Sequence, residues 1–312
     1  MEDNVEVLRP KEQNELKIGI VGLGFVGKAV NAGWSSKRCN KMVVDPKFNK
    51  NTMSDLYDFA PQITFICLPT PSNDDGSINS ELVEKTVRGL IAGSQSFIVI
   101  KSTVTPDIIS RLTKLDSRIV YEPEFLTEQN AVNDYMHPAI NILGLTDQGA
   151  AQYLEGLYKM FSRCVRPQAI QMTPIEAAYF KYACNTFLAM KIIFANQLKN
   201  VIDHYGGDYD MLAKLLPADM RMGRTHWMVP GLDGKEGFGG ACFPKDLNAW
   251  IKFAETYGGE NGNPSLLKEV LDSNNLIRSQ YELNDREIEQ NVNYGQTKKE
   301  LKDKDNGSSK QE

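Results

Sequence analysis

Cys242 sits in the stretch EGFGGACFPKDLNAW, Glu236 to Trp250, with Gly237, Gly239 and Gly240 before it and Pro244, Lys245 and Asp246 after it. A thiol at a helix start beside a lysine has its ionised form favoured, and the thiolate is the species that attacks an electrophile. Three glycines are foreign to a core cysteine and suit a backbone that wraps closely round a substrate. Two further pairs have spacing that suits chemistry. Lys181 and Asn185 are four residues apart in an apolar segment, so they stack on one helix face. Either they meet a polar ligand, because unpaired burial is costly, or Lys181 snorkels to solvent and Asn185 bonds a neighbouring backbone. Glu124 and Glu128, in EPEFLTEQNA, share that spacing just after an apolar run. Each is either a solvated acid favoured by a helix start or a base that can activate water.

These groups need a scaffold, and the amino-terminal half spells one out. LKIGIVG, Leu16 to Gly22, reads as a strand buried on both faces. It runs into GLGFVG, then a helix from Phe25 to near Ser36, then the apolar run KMVVD ending at Asp45. Strand, Gly-x-Gly-x-x-Gly, helix, strand and an acid about twenty residues on form the dinucleotide fingerprint. Gly22 makes the turn, Gly24 lets the backbone approach a pyrophosphate, Gly27 permits close helix packing, and Asp45 accepts from ribose hydroxyls. An acid there repels a 2'-phosphate, which favours NAD over NADP, although Lys47 is close by. The runs ITFICLPTP, FIVIKSTV, RIVYEPEFL, AINILG and CVRPQAI (Cys164 to Ile170) continue the pattern. Helix-length segments at Ser80 to Ala92 and Pro106 to Leu115 separate the earlier runs, which predicts a Rossmann-type, doubly wound parallel sheet. Ligands sit beyond the carboxyl ends of such strands, so Thr70, Ser102, Thr103, Glu122, Glu124 and Glu128 are expected to converge on one crevice.

From Thr173 the texture becomes helical. A Thr cap, Pro174 and the paired glycines after Tyr205 predict one long helix over Pro174 to Tyr205, apolar on nearly all sides. Shorter helices follow over Asp208 to Leu215, from CFPKDLNAW, and from NPSLLKEV. The expected organisation is a polar leader (1–15), an NAD-binding domain (16–170), an all-helical substrate and dimerisation domain (171–282) and a charged, disordered tail (283–312).

Composition narrows the function classes. The chain has 312 residues, 41% hydrophobic and 24% charged, with a net charge of -5 and no basic stripe. This is the balance of a globular protein without a nucleic-acid partner. Five scattered cysteines and three histidines argue against a metal site or disulfide framework. No apolar run spans a membrane and the leader is unlike a signal peptide, so a cytoplasmic protein is expected.

Taken in order, GLGFVG, LPTP, KSTV, PEFLTE, KYACNTFLA and GFGGACFPKD resemble the nucleotide-sugar dehydrogenases of the UDP-glucose 6-dehydrogenase and GDP-mannose dehydrogenase family, over about residues 16 to 282. The resemblance implies NAD-dependent, four-electron oxidation of a sugar C6 alcohol to the carboxylate through a cysteine thiohemiacetal and thioester. UDP-glucose is the expected substrate, with GDP-mannose or UDP-N-acetylmannosamine as alternatives. It assigns Cys242 as nucleophile, Lys181 and Asn185 to the oxyanion, Asp246 and Thr103 to water and protons, and Glu124 to thioester hydrolysis. Gly22, Gly24, Phe25, Val26, Gly27, Asp45, Thr70, Thr103, Glu128 and Lys245 fall on the NAD side. Glu124, Phe125, Leu126, Lys181, Asn185, Phe238, Gly239 and Phe243 fall on the sugar side, with Arg221 of MRMG reaching a neighbouring subunit's substrate.

The resemblance also implies a homodimer through the long helix. Family chains typically continue into a second doubly wound domain that holds the nucleotide, whereas this chain runs into a polar tail and has Ala139 and Ile140 where an arginine is common. Weaker nucleotide binding, a separate protein supplying that domain, or a smaller substrate would each accommodate the difference. Two other readings stand beside the main one: a single-oxidation hydroxyacid dehydrogenase of the 6-phosphogluconate and hydroxyisobutyrate type, which has no nucleophilic cysteine, and a non-catalytic NAD or sugar-binding protein.

Overall fold

The computed structural model describes residues 15–35 and 37–295. The chain divides into two compact units: residues up to Thr70 together with Asn79–Lys181, and Pro71–Ile78 together with Tyr182 onward. The division falls inside the long helix rather than near residue 170, and it assigns the short turn-rich segment Pro71–Ile78 to the second unit.

The first unit is built on a seven-stranded sheet, β1 (Leu16–Val21), β2 (Cys39–Val44), β3 (Ile63–Ile66), β4 (Phe97–Ile100), β5 (Ile119–Tyr121), β6 (Ile142–Gly144) and β7 (Ile170–Met172). Their order is β2-β1-β3-β4-β5-β6-β7. β3 is buried at every residue and β4 at all but Phe97, as continuous apolar runs covered on both faces require. The helices α1 (Phe25–Gly33), α2 (Met53–Phe59), α3 (Glu81–Gly93), α4 (Pro106–Thr113), α5 (Ala131–Met136) and α6 (Gln148–Phe161) connect the strands. Trp34, Phe65, Leu154 and Tyr158 lie in its core, with the Trp34 and Tyr158 rings 4.6 Å apart.

The expected parallel sheet is present with one antiparallel junction, and one strand needs correction. Pairing is parallel from β2 through β5 and again between β6 and β7, while β6 joins β5 antiparallel, Tyr121 opposite Gly144. The last strand is Ile170–Met172 and not Cys164–Ile170. Arg163 N donates to Gly33 O (2.7 Å) and Val165 N to Met136 O (2.7 Å), so this stretch spends its amides on the ends of α1 and α5.

α7 (Pro174–Tyr205) is continuous through 32 residues. Thr173 and Glu176 cap it reciprocally: Glu176 N donates to Thr173 Oγ1 (3.2 Å) and Thr173 N to Glu176 Oε2 (2.8 Å). The second unit adds α8 (Tyr209–Leu215), α9 (Phe243–Tyr257), α10 (Ser265–Arg278) and α11 (Asp285–Glu289), with two short 3-10 turns at Leu216–Ala218 and Met220–Met222. One cluster packs Ala189 and Ile193 of α7 with Phe238, Leu247 and Val270, and another packs Ala195 with Tyr209, Trp227 and Val229.

The first part of the expected tail is structured. Residues 283–295 are ordered: Asn284 caps α11, Glu287 is fully buried and Tyr294 nearly so. The rest of the expected tail, like most of the leader, lies outside the described residues. Among those residues no helix is long and apolar enough to cross a membrane, and no group of three or more metal-ligating side chains occurs.

Candidate active site

The glycine turn opens the first unit's site. Gly22 sits at φ +91° with Cys67 O where a Cβ would stand (2.5 Å), and a Cβ on Gly27 would lie 2.0 Å from Gly22 O. Both glycines are therefore required by the turn itself. Gly24 is different: a Cβ there would meet nothing within 4 Å, and the start of α1 has no side-chain cap. Open space in front of uncapped amides is what an anionic group on a helix amino terminus needs. Phe25 and Val26, half-buried, begin that helix. Asp45 stands over the turn, with Oδ2 accepting from Leu23 N at 2.6 Å, so it braces the loop as well as offering lone pairs to a ribose. These residues fit a dinucleotide.

Further along the same sheet, Thr70 Oγ1 donates to Thr103 O (3.0 Å), and both residues are buried. Glu128 is exposed. The expected convergence is incomplete. Ser102 turns its hydroxyl inward to Leu68 O (2.8 Å). Glu122 is 1% exposed, accepts from Tyr158 OH (2.9 Å) and pairs with Arg166, with Lys101 Nζ at 3.7 Å. Burial alone would raise its carboxyl pKa, but the Arg166 and Lys101 charges outweigh burial and hold it low. Glu122 and Ser102 are thus structural.

Glu124 is the acid that acquires a partner with chemical consequence. Lys181, 2% exposed, donates to Glu124 O at 2.6 Å and to Glu124 Oε1 at 3.1 Å. Leu126 N donates to the other carboxylate oxygen at 2.8 Å, and the Phe125 ring lies 5.3 Å from the ammonium. The snorkelling alternative for Lys181 is excluded by this burial. The pair adjoins a cavity of about 220 Å³ whose lining includes Glu124, Phe125 and Leu126.

One turn further along α7, in the second unit, Asn185 Nδ2 donates to Asp246 Oδ2 at 2.6 Å, so its partner is a carboxylate and not a backbone group. Asp246, 1% exposed, also accepts from Lys245 Nζ at 2.5 Å. Lys245, expected to act on the thiol and on the cofactor, has its ammonium taken up by this neighbour. Cys242 is half-buried and occupies the N-cap of α9, with its carbonyl accepting from Asp246 N at 2.8 Å. The amino end of a helix carries its positive pole, which favours a thiolate over a thiol.

The glycines before it have causes within the protein. Gly237 and Gly240 sit at φ +71° and +76°. A Cβ on Gly239 would fall 1.5 Å from Arg278 Nη2 and 2.6 Å from Glu287 Oε1. Close wrapping round a substrate is not needed to explain them. Phe238, expected to shape a sugar pocket, is 2% exposed and belongs to the core, its backbone gripped at both ends by Asn274 (2.7 and 3.1 Å). Phe243 is half-buried, its ring 5.6 Å from that of His226. Arg221 projects from the surface, 88% exposed, and pairs with Asp219 at 2.6 Å.

Asn274, Arg278 and Glu287 were missed from the sequence. The first two share the one-turn spacing that drew attention to Lys181 and Asn185, and Asn284 to Glu287 spells a capping box.

Comparison with known proteins agrees with this geometry. Residues 46–162 match the NAD binding domain of the UDP-glucose/GDP-mannose dehydrogenase family, and residues 175–276 match its central domain. NAD is the cofactor. The chain is 33% identical over 251 residues to the UDP-glucose 6-dehydrogenase AglM of Haloferax volcanii, an alignment covering 72% of this chain and 56% of that protein. It spans just over half the length of that relative and of a Bacillus subtilis UDP-glucose 6-dehydrogenase, of which it covers 53%.

A UDP-glucose dehydrogenase structure from Pyrobaculum islandicum superposes with a TM-score of 0.72 at 28% identity, covering 86% of this chain and 70% of that one. A 3-hydroxyisobutyrate dehydrogenase from Mycobacterium tuberculosis, at 15% identity and a TM-score of 0.66 over 90% of this chain and 97% of that one, shares the fold. Because the two domain models together match well over half of the chain, and a relative 33% identical covers 72% of it, the chain belongs to the UDP-glucose/GDP-mannose dehydrogenase family.

Proposed function

We propose that the chain oxidises the C6 alcohol of a nucleotide sugar to the carboxylate in two steps, with UDP-glucose as substrate and GDP-mannose and UDP-N-acetylmannosamine as the alternatives. The observation that carries the reading is Cys242 at the N-cap of α9, one turn ahead of an Asp246 buried between Asn185 and Lys245. NAD, held by the Gly22 to Gly27 turn and Asp45, supplies the hydride acceptor for each oxidation.

A single oxidation needs no thiol, whereas an aldehyde must be converted before it can lose a second hydride. Cys242 thiolate adds to the aldehyde carbon, forming the C–S bond while the oxygen takes up a proton. The thiohemiacetal then loses a hydride and that proton to become a thioester. Water adds, the C–S bond breaks, and the carboxylate and thiol are released. Lys181 and Asn185 steady negative charge on the C6 oxygen, and Asp246 moves protons for the thiol and the attacking water. Glu124, with its carboxylate fixed by Lys181 and Leu126 N, assists hydrolysis, Thr103 orients the water, and Glu128 assists beside the cofactor.

A homodimer through α7 belongs to the same reading. Tyr179, Phe187, Phe194, Val201 and Tyr205 are exposed on α7 at spacings that keep them within one face. Arg221, exposed and paired with Asp219 at the surface, is the side chain expected to reach a neighbour's substrate.

The test is NADH formed per sugar consumed, with each of the three nucleotide sugars. Two NADH per carboxylate is expected, with Cys242→Ser stalling after the first oxidation or trapping an ester, and Lys181→Ala slowing both steps. One NADH per product, or full activity in Cys242→Ser, overturns the thioester route. No turnover with any of the three directs the search to a second chain that supplies the nucleotide contacts.

A further inference from the structure

We propose that residues 285–294 form a strap that positions Cys242, with Glu287 as the positioning residue; the inference rests on the reading of Cys242 as nucleophile. Glu287 is fully buried, and one of its oxygens collects three donors that belong to three different segments. Oε1 accepts from Gly240 N at 2.9 Å, from Tyr294 OH at 2.7 Å and from Arg278 Nη2 at 3.2 Å. Oε2 accepts from Asn284 N at 2.8 Å, which closes the cap of α11. A buried carboxylate with every bond made inside the protein is committed to this geometry.

What it holds is the approach to the thiol. Gly240 lies two residues before Cys242 in the left-handed region, a conformation that only glycine adopts readily. The preceding residues are gripped as well: Gly237 N by Asn196 Oδ1 (3.0 Å), Phe238 by Asn274, and Glu236 O by Arg278 Nη1 (3.3 Å). Arg278 fills the place where a Gly239 side chain would be and also pairs with Asp233 at 2.8 Å. The strap is itself anchored: Val292 N returns to Glu287 O (2.9 Å), Ser72 N donates to Gln290 O (3.0 Å), and Asn291 Nδ2 donates to Ser72 O (2.8 Å). Cys242 therefore enters α9 from a chain held at Glu236, Gly237, Phe238 and Gly240, with Glu287 as the pin on Gly240. Loosening that pin frees the thiol to leave the N-cap, where the helix favours the thiolate.

The experiment compares the full chain with Glu287→Ala, Glu287→Gln and Tyr294→Phe. Alkylation of Cys242 by iodoacetamide is followed across pH by peptide mass spectrometry, normalised to Cys39, well below each variant's Tm. In Glu287→Ala the Cys242 profile is expected to move to higher pH, with the normalised rate near neutrality falling about tenfold. Glu287→Gln, which keeps an acceptor, restores part of it, and Tyr294→Phe gives a smaller shift in the same direction. A lowered Tm with an unmoved Cys242 profile in Glu287→Ala and Tyr294→Phe overturns the strap and leaves only a structural carboxylate. Failure of the functional reading is separate: full two-NADH turnover by Cys242→Ser would refute the nucleophile without altering the alkylation result.

Discussion

Each unit starts a helix from a glycine-rich turn, and the two turns have different physical causes. In GLGFVG, the outer glycines are closed by backbone, Gly22 by Cys67 beyond β3 and Gly27 by Gly22 itself, while Gly24 faces open space. In GFGG, the chain's own side chains close the central position, Arg278 and Glu287 standing where a Gly239 Cβ would be. The first turn keeps a place for something outside the protein. The second is filled from within, so its glycines report tight internal packing that fixes the thiol's approach. A glycine cluster thus indicates crowding without saying whether the crowding atom belongs to a ligand or to the fold.

Gly239→Ala tests that contrast most severely. Forcing a methyl against a buried guanidinium is expected to destabilise the protein by about 3 kcal/mol, from overpacking together with a disturbed buried ion pair; a denaturant midpoint within error of the parent would refute the internal explanation. Gly24→Ala should do the reverse, leaving Tm unchanged and raising the NAD Kd about tenfold or more, because the methyl occupies the approach of the pyrophosphate. Titration of NAD with unchanged affinity would show that the open face is not the cofactor's.

Asp45→Asn should have a smaller effect, reducing discrimination between NAD and NADP about tenfold while its amide oxygen still accepts from Leu23 N. A preference as strong as the parent's would place discrimination elsewhere.

The smallest effect is that of pH on the second turn. Burial alone would raise the Glu287 carboxyl, but bonds from Tyr294, Asn284 and Gly240 and the Arg278 charge outweigh it and hold it below the usual range. A group depressed on folding contributes its full stability above its unfolded value of about 4.3, and loses it as pH falls through the folded value. Acid unfolding of Glu287→Gln should accordingly be less pH-dependent than that of the parent below about pH 4; parallel curves would exclude Glu287 as a contributor.

Legibility followed locality. The strands, the glycine turn with its acid, and α7 with its Thr173 cap, Pro174 and terminal glycines depend on neighbours close in the chain, and each could be read directly. Lys181 and Asn185 were legible as a pair on one face, but not their partners. Glu124 is 57 residues from Lys181, and Asp246 is 61 from Asn185. The antiparallel β6 and the fate of Glu122 were hidden for the same reason, since pairing direction and burial are settled by distant segments. Residues 283–295 misled through composition: their charges suggested a solvated tail, while the decisive group is one buried glutamate that meets Arg278 and Gly240.

The amino-acid sequence by itself determined the dinucleotide turn, the sheet-then-helices plan, and a set of polar groups, Cys242, Lys181, Asn185 and Glu124, whose types and spacing suit chemistry. Those are properties of periodicity, backbone freedom and side-chain chemistry, all local in the chain. Only the tertiary structure decided that Lys181 pairs with Glu124, that Lys245 pairs with Asp246, and that Gly239 is a glycine because of Arg278. Ion pairs and steric exclusion depend on which atoms lie within a few ångströms, and for these residues those atoms come from tens of positions away.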